Sequence, residues 1–226
     1  MGTKMETVKR QGIDIVFAEK KKKSMLAEDV APNRLEKTKQ IVSQIINQLG
    51  NDRVGIVGYA GSAYPVLPMT TDYSIAKMYL QSMNTNMVSS QGTAFNDAIQ
   101  LAADFFDVKD TSKLIILISD GEDHGEGAED AIEMAKEKGV RILTIGVGTE
   151  KGGPIPLRDD KGNIASYKKD QEGQTVTTKL YPEVLKNIAD KTKSKYIVGT
   201  STKEVVEELK KSLDKIEKSE FESQQI

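Results

Sequence analysis

Apolar residues arrive along this chain in two alternating rhythms. Short unbroken runs at residues 13–18, 54–59, 114–118 and 140–147 read as strands buried on both faces. Between and after them, residues 35–49, 73–83, 95–106, 128–138, 181–191 and 202–216 carry apolar positions at helical spacing. The punctuation agrees with that division. Thr71 and Asp72 suit a helix start, Gly50 and Gly139 suit helix ends, and Pro182 fits a first helical turn. Pro65 and Pro68 mark residues 64–67 as an edge strand, and residues 195–198 make a short last strand. The alternation predicts an α/β fold with a largely parallel, helix-covered sheet.

Residues 149–179 break the rhythm with Gly152, Gly153, Pro154, Pro156, Gly162 and Gly173. They predict a small hairpin excursion with strands near 155–158, 164–168 and 174–178. The expected organisation is a polar extension over 1–12, one domain over 13–216 that includes the excursion, and a frayed tail over 217–226.

Composition narrows the function classes. The 226 residues suit one domain with a sizeable core. A net charge of -2 supplies no global field for nucleic acid, so no nucleic-acid partner is expected. The chain has no Cys and one His, which excludes thiolate and multi-histidine metal sites. No apolar run approaches the roughly 20 residues of a membrane span, so no membrane contact by this segment is expected.

The candidate chemistry gathers at one strand end. The aliphatic run 114–118 stops at Ser119, Asp120 and Gly121, followed by Glu122, Asp123 and His124. That pattern delivers a carboxylate to the rim of the sheet, where open α/β folds bind ligands. Ser24, Thr93 and Asp120 each flank a predicted core element on that same side. Their oxygens suit a hard divalent cation such as magnesium, manganese or calcium, although Ser and Thr are also common cap residues. An enzyme is not expected. His124 has no nucleophile elbow to serve, and Gly146-Val-Gly148 is too sparse for a nucleotide fingerprint. The run from Glu19 to Lys23 is an odd exit from a buried strand. A solvated loop suits Lys21 and Lys23, whereas a nucleic-acid or lipid patch would need more than this short, aromatic-free run.

The segments Met25-Leu-Ala-Glu-Asp-Val-Ala-Pro-Asn-Arg-Leu-Glu36, Asp52-Arg-Val-Gly-Ile-Val-Gly-Tyr-Ala60, Gly92-Thr93 and Ser119-Asp-Gly-Glu122 jointly resemble a von Willebrand factor type A domain. The resemblance is to those of bacterial membrane-anchored Bat proteins, linked with aerotolerance operons. It implies a three-layer, Rossmann-like fold whose mostly parallel sheet has an antiparallel edge strand and a small hairpin insertion. It also implies a protein-interaction and scaffolding module of the cell envelope, a soluble domain of an inner-membrane protein on the periplasmic side. Its partner would be another Bat-type protein or an acidic ligand.

In that family a metal-ion-dependent adhesion site holds Mg2+ or Mn2+ between an Asp-x-Ser-x-Ser motif, a Thr and an Asp. Carried over by position, Ser24 is the last serine, Thr93 the threonine and Asp120 the aspartate. Lys20 and Lys22 stand where the first aspartate and first serine belong. A protonated lysine only donates, so both positions lose ligands and gain positive charge. The expectation is a remnant site without cofactor, in which the Lys20 ammonium leans toward Asp120 and Glu122, Asp123 and His124 form rim contacts. A second reading gives binding to a metal-independent surface such as the 149–179 excursion, and a third is a metal-dependent hydrolase.

Overall fold

β1 (Asp14–Lys20) lies inside a six-stranded sheet ordered β10 (Tyr196–Val198), β5 (Val140–Gly146), β4 (Lys113–Ser119), β1, β2 (Arg53–Tyr59), β3 (Ala63–Thr70). All pairings are parallel except β2 with β3. The computed structural model describes residues 12–85, 94–122 and 127–224. β1, β2, β4 and β5 are almost wholly buried, which is why their apolar runs are continuous.

Strand alternation sorts those runs into two cores. Ile15, Phe17, Ile56, Ile116 and Leu143 face α1 (Arg34–Asn47), α2 (Tyr73–Ser82) and α6 (Thr202–Gln224). Val16, Ala18, Val57, Ile115 and Ile142 face α3 (Ala94–Asp104), α4 (Ala128–Glu137) and α5 (Pro182–Lys191). The result is the three-layer α/β arrangement that the sequence predicts. Side-chain caps fix two helix starts: Asn33 accepts from Glu36 N at 2.8 Å and Asp72 from Ile75 N at 3.1 Å.

Three elements run longer than their sequence signals. β1 continues through Glu19 and Lys20, because Lys20 still pairs with Tyr59 of β2. β3 reaches Thr70 by shifting register twice against β2, and its Pro65 and Pro68 are exposed on the free edge of the sheet. α6 runs on to Gln224, past the Ile216 anchor, through a Glu- and Lys-rich stretch of good helix formers.

The excursion folds as two small antiparallel sheets. One joins β6 (Gly153–Pro154) to β9 (Thr177–Thr178), and the other joins β7 (Pro156–Arg158) to β8 (Ile164–Tyr167). Buried Ile155 separates β6, which the sequence reading did not anticipate, from β7, and the strand expected over 174–178 shortens to Thr177–Thr178. At the opposite, N-terminal end of the sheet, Asp14 accepts from Arg53 at 3.0 and 2.8 Å and from Thr111 Oγ1 at 2.9 Å. That is a structural tie between β1, β2 and the approach to β4.

Candidate functional site

Parallel pairing of β1 with β4 sets Glu19 beside Ile118, so both strands deliver their next residues to the same rim. Asp120 arrives there fully buried. Gly121, at a φ of +72°, follows it because a side chain would collide with the Tyr181 carbonyl, 2.1 Å from a Cβ placed there. The Asp120 carbonyl in turn accepts from Tyr181 N at 2.7 Å, locking the start of α5 onto the end of β4.

Among the described residues, the Asp120 carboxylate collects four donors. Oδ1 accepts from Lys20 Nζ at 2.6 Å and from Glu122 N at 3.0 Å. Oδ2 accepts from Ser24 Oγ at 2.8 Å and from Arg34 Nη1 at 3.0 Å. Lys20 and Arg34 are also fully buried. Burial alone would raise the Asp120 pKa, but the Lys20 ammonium, its hydrogen bond and the Arg34 guanidinium outweigh burial and hold the carboxyl below its ordinary value.

Arg34 extends this network into the excursion. It donates to Thr178 Oγ1 at 3.1 Å and to the Thr178 carbonyl at 3.0 Å. On its other side it makes a bidentate pair with Asp29, both contacts at 2.8 Å. Asp29 also accepts from Thr149 N at 2.8 Å and Thr149 Oγ1 at 3.1 Å. Burial pushes Asp29 up, yet the bonds from Arg34 and Thr149 leave it below the usual carboxylate range. Two carboxylates and two cations therefore balance across Asp29, Arg34, Asp120 and Lys20.

Of the site residues expected from sequence, Lys20, Ser24, Asp120 and Glu122 come together. Lys22 is half-buried, one residue before the 3-10 turn Lys23–Leu26 that carries Ser24. Thr93, Asp123 and His124 lie outside the described residues. Lys21 requires a correction. It is not solvated but fully buried, with Nζ 3.8 Å from Glu19 Oε2 on the opposite face of β1 from Lys20. That distance is too long for a hydrogen bond, and neither Glu19 oxygen nor Lys21 Nζ has one among the described residues. Burial, partly offset by the other member of the pair, raises the Glu19 pKa and lowers that of Lys21.

Sequence reading missed Arg34, Asp29 and Thr178. Two signals were available for Arg34. It opens α1, where the positive end of the helix disfavours a cation without an anionic partner. Gly148, at a φ of +120°, leaves room for it, since a Cβ there would sit 2.8 Å from Arg34 Nε.

The fold, the rim and the strand order define a class, and residues 14–211 match the von Willebrand factor type A domain. The chain belongs to that family. Within it, the chain is homologous to Bat-type aerotolerance proteins. It is 34% identical to an aerotolerance-related membrane protein from Bacteroides fragilis, solved with multiple mutations to serines, with a TM-score of 0.84, covering 90% of this chain and 100% of that one. It is 38% identical to BatB, a conserved hypothetical protein from Bacteroides thetaiotaomicron, with a TM-score of 0.81 and the same coverage of 90% and 100%. A UPF0353 protein from Mycolicibacterium paratuberculosis is 34% identical over 150 residues, covering 61% of this chain and 45% of that protein. The chain thus spans about half the length of the curated relatives it matches.

The residues present do not fit the divalent cation of the family's adhesion site. Two of the four described contacts to Asp120 come from the cations Lys20 and Arg34, which offer donors only, whereas a hard cation needs oxygen lone pairs. Among the described residues, no group of three or more His, Cys, Asp or Glu side chains is gathered as metal ligands would be. No helix among them is long and apolar enough to cross a membrane.

Proposed function

We propose that this domain is a protein-binding and scaffolding module of a Bat-type protein of the cell envelope, with its adhesion site inactivated by Lys20 and Lys22. Lys20 replaces a ligand and its charge stands in for that of Mg2+ or Mn2+. Lys22 removes a second ligand, leaving Ser24, Thr93 and Asp120 as remnants of the family site. One observation carries the reading: the Lys20 ammonium sits 2.6 Å from Asp120. With Arg34 at 3.0 Å on the other carboxylate oxygen, a divalent ion would have to displace two fixed cations.

The rim around Ser24 and Glu122, with Asp123 and His124 beside them in sequence, is the contact surface under this reading. The partner is a protein, either another Bat-type protein or one presenting an acidic group. The parent is an inner-membrane protein with this domain on the periplasmic side, a placement that protease accessibility in spheroplasts would test. Calorimetric titration with MgCl2 and MnCl2 tests the site itself. The unaltered chain should give no saturable binding, while Lys20→Asp combined with Lys22→Ser should gain it. Saturable metal binding by the unaltered chain would end the proposal.

A specific observation also favours the excursion as a metal-independent surface. Leu157, Ile164 and Tyr167 are exposed on β7 and β8. Arg34 and Asp29 hold the two ends of the excursion at the rim through Thr178 and Thr149, and Arg158 of β7 pairs with Glu28. If partner crosslinking in cells is lost with Ile164→Ser plus Tyr167→Ser and survives Glu122→Ala, the excursion is the binding surface.

A further inference from the structure

At the end of the sheet opposite Asp120, five cationic side chains converge on a cavity of about 220 Å³. Arg141 enters from the start of β5, Lys193 and Lys195 from the connection between α5 and β10, and Lys211 and Lys215 from α6. Lys211 and Lys215 are one helical turn apart, a spacing at which like charges repel. Only part of this charge is answered within the protein. Glu208 pairs with Lys195 and, at 3.6 Å, with Lys211. Arg141, Lys193 and Lys215 form no ion pair among the described residues.

Two further features distinguish this cavity from an ordinary solvated lysine surface. Ser194 lines it, and its buried hydroxyl has no hydrogen-bond partner among the described residues. A buried hydroxyl without a partner is costly. The second feature is the backbone of Lys193. Thr192 ends α5, and the next two residues close the helix, with Lys193 N donating to Asp190 O at 3.2 Å and Ser194 N to Ala189 O at 2.8 Å. This closure places Lys193 at a φ of 59°, and it is the one non-glycine residue with positive φ among those described. Glycine is the residue such a helix end favours. The chain instead keeps a cationic residue there, at the lining of the cavity.

We propose that this cavity binds a phosphoryl group, held by Arg141, Lys193 and Lys215. The guanidinium of Arg141 offers the planar donor pair that phosphate oxygens accept, and the lysines supply point charges. The group arrives either on a small soluble phosphate or on an anionic phospholipid headgroup. This site is independent of the Asp120 rim, so loss of one leaves the other untouched.

The experiment titrates the full chain with sodium pyrophosphate, following backbone amides by NMR, and in parallel measures sedimentation with phosphatidylcholine vesicles with and without phosphatidylglycerol. Pyrophosphate should shift the Arg141, Ser194 and Lys195 amides saturably. Arg141→Gln and Lys193→Gly should each weaken that binding about tenfold, the loss expected for one charged hydrogen bond. Lys193→Gly should at the same time raise the thermal midpoint, which separates lost binding from lost folding. Retention only by phosphatidylglycerol vesicles, abolished in both variants, assigns the headgroup as the source. Absence of binding in both arms overturns the proposal. So does an equal loss in the control Lys203→Gln, whose charge lines a separate groove between α1 and α6.

Discussion

Lys20 and Lys21 follow one another at the end of β1, and both ammonium groups are fully buried, one on each face of the sheet. Lys20 meets a carboxylate at 2.6 Å that three further donors also hold in place. Lys21 meets one at 3.8 Å that accepts no hydrogen bond from the described residues. The same residue type at the same depth therefore has two different energetic meanings. Opposite charge alone does not make a buried ion comfortable; hydrogen bonds that occupy the remaining lone pairs do. The Asp120 cluster is an integrated part of the rim, whereas the Glu19–Lys21 pair is a strained intrusion into the core beneath α1.

The sharpest way to break this contrast is Asp120→Ala. It strands Lys20 and Arg34 without their shared anion and should destabilise the domain by about 3–5 kcal/mol in urea unfolding. Replacing Glu19 and Lys21 together with leucine should have the opposite sign. The double variant should be neutral or more stable by about 1–4 kcal/mol, and each single change should be worse than the double because it leaves one buried charge unmatched. If both clusters lose stability equally on such replacement, the contrast fails.

Acid titration separates the two clusters by sign. The Asp120 carboxyl is held below its unfolded value, so its contribution is complete above that value and is lost as pH falls through the folded one. Glu19 is raised, so stability falls as pH climbs from its unfolded value toward its folded one. Lys21 is lowered, so stability returns as pH rises from its folded value toward its unfolded one. The Glu19→Leu plus Lys21→Leu variant should flatten the middle of the stability–pH profile while leaving the acid limb intact. A far smaller effect, within about 1 kcal/mol, is expected for Arg158→Ala, since its pair with Glu28 is exposed. A larger loss there would mean that the excursion depends on this surface pair more than on Arg34.

The sheet and its six covering helices were legible because period and punctuation agree in each element. Phe17 and Val16 face different cores, and the caps at Asn33 and Asp72 lie where helical spacing begins. The strand through Glu19 and Lys20 was less legible, since polarity there signals an exit while the backbone still pairs with β2. Lys21 was misread for the same reason: a charge run reads as solvated unless tertiary contacts are known. Arg34, Asp29 and Thr178 were invisible as a set because they meet across separations of up to 144 residues. No local pattern encodes that meeting, although Gly148 preserves the space for it.

The outer strand β3 carries one more consequence. Its Pro65 and Pro68 lack amide hydrogens and lie exposed along the sheet's free border, while the other border is the three-residue β10. Neither side offers a long, regular template for another chain to extend strand by strand. Crowded copies of this domain are thereby guarded against fibrous growth, and any ordered assembly must be built from helices, loops or the excursion rather than from a shared sheet.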